Sequence, residues 1–295
     1  MTPATRFLLL AFAGAAALSP PVVRALQIGS AGLDITFRAR SFQPGELVVV
    51  GIALPAEPAG VDVRVFDRTT PASRIGPGRW EALVGIDLDR RSGDYELTAT
   101  AEGARASRSI TVAPKTFAVR KLSVDPDFVN PPPSQQARIA EESRFVQQVY
   151  AASARERLWA GAWARPVPHQ ANSRFGARSA FNGEARNPHS GADFLSPAGT
   201  PVHAPNAGRV VAARDMFFSG RVVILDHGLG VFSQLAHLSR IDVAEGETVS
   251  TGQVVGLVGA TGRVTGAHLH WGVRVGEARV DPLAVLALFA APEAR

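Results

Sequence analysis

The chain has 295 residues, long enough for two domains with sizeable cores, and a globular composition rich in Gly, Pro and Val. Its formal charge is only +5, with no Lys/Arg cluster, which argues against nucleic acid as a partner. There is no cysteine, which excludes disulfides and lipid attachment through an N-terminal Cys.

In chain order, residues 1–25 carry Arg6, an apolar run from Phe7 to Leu18 and a "VRA" ending in Ala25. This is the layout of a secretory signal peptide cleaved near Ala25, and it predicts export to the periplasm or cell surface. The run is too short to cross a bilayer comfortably, so no transmembrane span is expected after cleavage. An uncleaved anchor is the alternative. Without Arg6 and Arg24 the charge falls to about +3.

Residues 26–117 read as short strands with turn signals between them: "LDITFRARS", "ELVVVGIAL", "VDVRVFDR", "WEALVGIDL", "DYELTATAE" and "RSITVAP". Runs of this length and spacing predict a β-sandwich of immunoglobulin-like size. It contains no catalytic constellation and reads as a spacer or docking module.

Residues 118–165 read as a connector. "VNPPPS" is an extended punctuation, and Ser134 can cap a helix beginning just after it. "QQARIAEESRFVQQVYAASARERLW" places Ile139, Phe145, Val146, Val149, Tyr150 and Ala152 at roughly helical spacing. That predicts an amphipathic helix of about six or seven turns, its apolar stripe used for packing.

From Pro166 to about residue 290, glycine-broken strands return, predicting a C-terminal antiparallel β-sheet domain and a predominantly all-β protein. "GTPVHAPNAGRVVAA" and "GETVSTGQVVGLVGA" echo one another, which suggests two related β-hairpins in one sheet.

The chemistry-bearing residues cluster in this last region. "GAHLHWGV" sets His268 and His270 either side of Leu269. In a strand the two imidazoles share one face, roughly 7 Å apart. "NPHSGADF" adds the pair His189 and Asp193, with Gly191 between them to let the backbone bend, and "LAHLS" adds His237 at a strand end. A catalytic zinc takes three nitrogen or oxygen ligands and keeps one position open. His189, Asp193 and one histidine of the H-x-H pair satisfy that count. Two histidines remain for proton transfer and oxyanion stabilisation.

Together, "NPHSGADF", "GTPVHAPNAGRVV", "GRVVILDHGLG", "AHLS" and "GATGRVTGAHLHWGV" resemble the lysostaphin/LytM-type zinc metallopeptidases, in family order from Phe175 to Pro282. The resemblance implies one Zn2+ per chain held by His189, Asp193 and His270. It implies His237 and His268 as the two non-ligand catalytic histidines, without saying which is base and which stabiliser. It further implies hydrolysis of peptide cross-links or stem peptides of bacterial peptidoglycan, with an envelope protein as a possible partner of the N-terminal domain. Leu235 stands where the family often has tyrosine, which predicts altered substrate handling.

His169, His203 and His227 read as structural. Arg178, Asn182 and Arg186 precede the metal motif, where an arginine could hold a stem-peptide carboxylate. "GATGRVTG" has the glycines of a tight loop but no G-K-[ST], which argues against phosphate binding. The rival reading is a catalytically silent regulator that activates another wall hydrolase; the intact ligand set argues against it. A lipoyl-like carrier, suggested by "GETVSTGQVVG", needs a modifiable lysine, and none comes after Lys121.

Overall fold

The computed structural model describes residues 23–27, 32–55, 57–122, 131–172, 175–181, 184–185 and 187–290. The leader expected over 1–25 lies outside them except for its last three residues, which fall in the first strand.

Among the described residues, the first half carries nine strands: β1 (Val23–Gln27), β2 (Asp34–Ala39), β3 (Leu47–Ala53), β4 (Val61–Val65), β5 (Arg68–Pro71), β6 (Ser73–Gly76), β7 (Arg79–Gly85), β8 (Gly93–Ala101) and β9 (Ala104–Val112). They form two antiparallel sheets, β1-β2-β3-β7-β6 and β5-β4-β8-β9. Phe37, Val50 and Trp80 from the first sheet share one core with Val63, Leu97 and Ile110 from the second. The strict alternation of buried and half-buried residues in β2 is that of a strand with one face in this core.

Strand β3 is different, because "LVVVGIA" is apolar almost throughout. Val48, Val50 and Ile52 point into the sandwich, whereas Leu47 and Val49 join Leu83 of β7 in the core of the second half. Both faces of β3 are covered, so both must be apolar. The first unit is therefore packed against the rest of the chain. Polar contacts reinforce the junction. Arg40 donates to both carboxylate oxygens of Glu46 at 2.9 Å and to Asp281 at 2.7 Å. A Cβ on Gly85 would lie 2.6 Å from that of Ala278, so the two backbones meet closely there.

Arg279 reaches across the same junction and donates to Asp87 at 2.7 Å and Asp89 at 2.9 Å. Burial works to raise the Asp87 pKa, but the hydrogen bonds from Arg279 outweigh it and hold it at about 2. A carboxylate depressed in the folded state stabilises above its unfolded pKa near 4, and this contribution fades as pH falls through about 2. We expect Asp87→Asn to cost about 2 kcal/mol at pH 7 and to flatten the stability profile between about pH 4 and 2. Denaturant midpoints across that range check it; parallel profiles for variant and wild type would contradict it.

The second half contains β10 (Val119–Leu122), a helix over Pro133–Ala151, β11 (Arg178–Phe181), β12 (Glu184–Ala185), β13 (Gly191–Phe194), β14 (Pro201–His203), β15 (Gly208–Met216), β16 (Gly220–Gly228), β17 (Val231–Ile241), β18 (Thr248–Val249), β19 (Val254–Val258), β20 (Leu269–Val275), β21 (Ala278–Val280) and a closing helix over Pro282–Leu288. The main sheet runs β13-β20-β17-β16-β15-β18 and is antiparallel. The two echoing segments do not each close a hairpin. They pair with each other, β14 on β19 and β15 on β18, so the repeat interlocks.

The long helix has 19 residues, about five turns rather than six or seven. Its N-cap is Pro132, extended and without a side-chain cap, and not Ser134. Pro133 takes the first helical position, where its fixed φ is pre-organised and its missing N–H costs nothing. The helix stops because Asp226 captures the chain just beyond its end. The Asp226 carboxylate accepts from Ser153 Oγ and from the Ala154 N–H, both at 2.7 Å. The stripe of Phe145, Val146, Val149 and Tyr150 packs on Ala212, Ile224, Phe232 and Ala236, covering one face of the main sheet.

Candidate metal and catalytic centre

The main sheet's alternation places the site. Leu269, Trp271 and Val273 of β20 go into the core together with Ala192 and Phe194 of β13. His270 and Asp193, directly opposite one another in register, therefore stand on the other face. That is the face on which the helix lies, since Ala236, paired with His270, belongs to the helix-covered cluster. His189 arrives from the segment just before β13. Its Nε2 lies 3.0 Å from Asp193 Oδ1 and 3.0 Å from His270 Nδ1, and His270 Nδ1 lies 3.0 Å from the same Oδ1. Three donor atoms of mixed nitrogen and oxygen type thus converge on one point, the geometry of a metal site. Burial raises the Asp193 pKa, but hydrogen bonds from His189 and His270, and their charge, hold it well below the usual carboxylate range. Burial lowers that of His270, against the opposing pull of the Asp193 carboxylate, and so favours the uncharged imidazole that a metal requires.

Gly191 is not a bend. Its φ is not left-handed, and it begins strand β13. A Cβ there would lie 2.5 Å from the Trp271 carbonyl and 2.7 Å from the His270 ring. Only glycine leaves room for that ring. We expect Gly191→Ala to fold with the His270 ring displaced and to weaken metal affinity by about 10–100-fold, the range for losing orientation of a ligand. Metal titration against a competing chelator checks this; wild-type affinity would contradict it.

His237 reaches the cluster by a local irregularity. It lies within β17 rather than at its end, with a φ of 67° that is unusual outside glycine. The register on β16 shifts there, with Val223 opposite Leu235 but Arg221 opposite Leu238, which inserts one extra residue into β17. Leu235 and Leu238 both face the core, so Ala236 and His237 both face the site. Without the bulge His237 would join Leu235 in the core. Its ring centroid lies 4.9 Å from that of His268 and 5.9 Å from that of His270. The His237 Nδ1 lies 2.9 Å from the Thr261 carbonyl, and the His268 Nδ1 lies 2.9 Å from the Gly266 carbonyl. A carbonyl only accepts, so both Nδ1 atoms carry a proton, and each ring's acid–base work falls to its Nε2. The His268 Nε2 is 3.7 Å from Asp193 Oδ1. Burial, then the charges of His270 and His268, push the His237 pKa down to about 3.

The structure thus brings together all five site residues read from the sequence. It also adds one that sequence reasoning missed. Thr261, in "GATGRVTG", orients His237 through its carbonyl, while its Oγ1 donates to the Leu238 carbonyl and accepts from the Arg221 N–H. The glycines there serve packing: a Cβ on Gly262 would lie 2.3 Å from the Gly220 nitrogen. Leu235, in place of the family's tyrosine, is fully buried on the face opposite the metal cluster. A hydroxyl at that place would head into the core, so the expected effect on substrate handling has no structural support.

The other histidines lie apart. His227 is fully buried, with Nδ1 2.7 Å from the Ala207 carbonyl and Nε2 2.9 Å from Ser233 Oγ, and burial pushes its pKa down to about 4. His169 contacts Ser196 Oγ and His203 the Gly252 carbonyl. Arg178 is exposed and pairs with Asp89 at 3.5 Å. Asn182 and Arg186 lie outside the described residues.

Comparison with known proteins agrees with this geometry. The model of peptidase family M23 matches residues 187–282, which include all five site residues. The peptidoglycan DD-endopeptidase ShyA of Vibrio cholerae is 48% identical over 84 residues, 28% of this chain and 20% of that protein. The DD-carboxypeptidase/endopeptidase Mpg of Neisseria meningitidis is 41% identical over 97 residues, 33% of this chain and 22% of that protein. The aligned segment is thus about a fifth of the length of these curated relatives. A crystallised Pseudomonas aeruginosa chain assigned to peptidase M23 is 34% identical, with a TM-score of 0.68, covering 84% of this chain and 96% of the other. A relative this similar over nearly its full length, and a family match centred on the His189–Asp193–His270 cluster, show that the chain belongs to peptidase family M23.

Proposed function

We propose that the protein is a zinc-dependent endopeptidase that hydrolyses peptide cross-links or stem peptides of bacterial peptidoglycan. The observation that carries this is the convergence of His189, Asp193 and His270 within hydrogen-bond distance, beside two histidines whose Nδ1 atoms both donate to backbone carbonyls. The donor set fits zinc, being two imidazoles and one carboxylate with no thiolate. When bound, zinc supplies a Lewis acid that polarises the scissile carbonyl and makes water more acidic.

The chain's own residues supply the rest. His189, Asp193 and His270 hold the metal, and the register of β13 on β20 fixes two of them rigidly. His237 and His268 stand at the edge of the cluster. One takes the proton from the attacking water; the other, once protonated, stabilises the oxyanion. The Thr261 and Gly266 carbonyls hold both rings by Nδ1, which leaves Nε2 for these roles. Export by a leader over residues 1–25, action at the periplasm or cell surface, and a two-unit organisation of 26–117 and 166–290 joined by 118–165 belong to the same proposal. The peptidoglycan activities named for the relatives from Vibrio and Neisseria support it.

Incubation with purified sacculi, with and without chelator, tests the reading. We expect cross-linked fragments to be converted to uncross-linked ones, and chelator to abolish this. Intact sacculi, together with faster digestion by a separate wall hydrolase, would favour the regulator.

A further inference from the structure

The bulge that turns His237 toward the site gives it a strained backbone. A φ of 67° lies in the left-handed region, which a residue with a Cβ keeps only where its surroundings over-determine it. The nearest constraint is the His237 N–H, which donates to the Ser219 carbonyl at 2.9 Å. Ser219 lies in the turn between β15 and β16, so whatever holds that turn also holds the bulge.

Two hydrogen-bonded routes hold the turn from the long helix. Glu142 is a half-buried carboxylate on the apolar stripe, between Ile139 and Phe145, and such a charge requires partners. Its Oε2 accepts from the Phe217 N–H at 2.9 Å and its Oε1 from Arg138 Nε at 2.7 Å. Arg138 also donates to the Asp215 carbonyl at 3.2 Å. By the second route, the Tyr150 hydroxyl donates to Gln234 Oε1 at 3.3 Å, and Gln234 Nε2 donates to Ser219 Oγ at 3.2 Å. Both routes therefore end on the turn that grips His237, and both begin outside residues 187–282, the segment matched to the peptidase family.

We propose that Glu142 and Tyr150 are positioning residues for His237, which makes the connector helix a working part of the hydrolytic site and not only a cover for the sheet. Once the turn loosens, β17 is free to release its extra residue and carry the His237 ring away from His268. A misplacement of about 1 Å costs about 10²-fold in rate. The effect on turnover rests on the endopeptidase reading; the hold on the bulge does not.

The test uses the zinc-loaded full chain, cross-linked peptide dimers released from sacculi, and histidine-selective isotope labelling to follow exchange of the His237 amide. Glu142→Ala is expected to lower kcat about 10–100-fold, with KM and zinc content as in wild type. Glu142→Gln, whose amide oxygen still accepts from Phe217, should recover most of that loss. Tyr150→Phe, which keeps its ring against Phe232, should show a smaller loss of the same kind. In a His237→Ala background Glu142→Ala should cost nothing further, because the group it positions is gone. In Glu142→Ala and Tyr150→Phe the His237 amide should exchange roughly 10-fold faster, about the worth of one hydrogen bond.

The same fractional loss of kcat with and without His237 would reduce the helix to a structural support and overturn the proposal. So would a Glu142→Gln no better than Glu142→Ala, or unchanged exchange at His237. Faster exchange in a protein that cuts no dimer would uphold the hold and reject the endopeptidase reading alone. Cleavage with unchanged exchange would reject the positioning role alone.

Discussion

Replacing His268 with alanine is expected to leave zinc bound and to lower turnover by about 10²–10⁴-fold, the usual worth of a positioned acid–base group or oxyanion stabiliser. The ring stands 3.7 Å from Asp193 Oδ1, outside the triad of atoms 3.0 Å apart, and its Nδ1 is committed to the Gly266 carbonyl. His237→Ala should behave alike, because that ring is held the same way by Thr261. If the two act on one transition state, the double variant should cost less than the product of the single losses. Zinc content and turnover measured on the same preparations decide the matter. A His268→Ala protein that loses its zinc would make His268 a ligand, and one with full turnover would remove it from the chemistry.

The largest stability loss is expected at Trp271→Ala. This side chain is fully buried between His270 and Gly272, with its ring 6.3 Å from that of Phe194 and its Nε1 donating to Ser233 Oγ at 3.1 Å. Removing it leaves a large cavity and takes a donor from the hydroxyl that also meets His227. The cost expected is about 3–5 kcal/mol, read as a shift of the denaturant midpoint at constant slope. Because the same strand carries His270, metal affinity should fall with it. A loss under about 1 kcal/mol would mean that the core collapses around the gap, and would contradict the rigid placement of the site.

How much of this was legible in the residues depends on whether a feature arises from strand alternation. The shared face of His268 and His270, and the strands of both halves, come from a period of two and were readable. So was the metal triad, since H-x-x-x-D and H-x-H carry its donors, although the choice between His268 and His270 came only from the resemblance. The placement of His237 was not readable, because a bulge at Ala236–His237 reverses the alternation and nothing in "LAHLS" announces it. Nor was the length of the connecting helix, which Asp226 ends from 72 residues away. Gly191 was recognisable as special but not as the place where the His270 ring passes. The apolar run in β3 identified a strand; only the assembled fold shows that a second unit covers its outer face.

The central claim is that His189, Asp193 and His270 hold one zinc on which peptide hydrolysis depends. Metal analysis and sacculus digestion on wild type and His270→Ala test it most directly. Wild type should carry about one zinc per chain, and His270→Ala, left with two protein donors, should carry almost none and release no fragments. A His270→Ala protein that keeps its zinc and its hydrolysis would contradict the account.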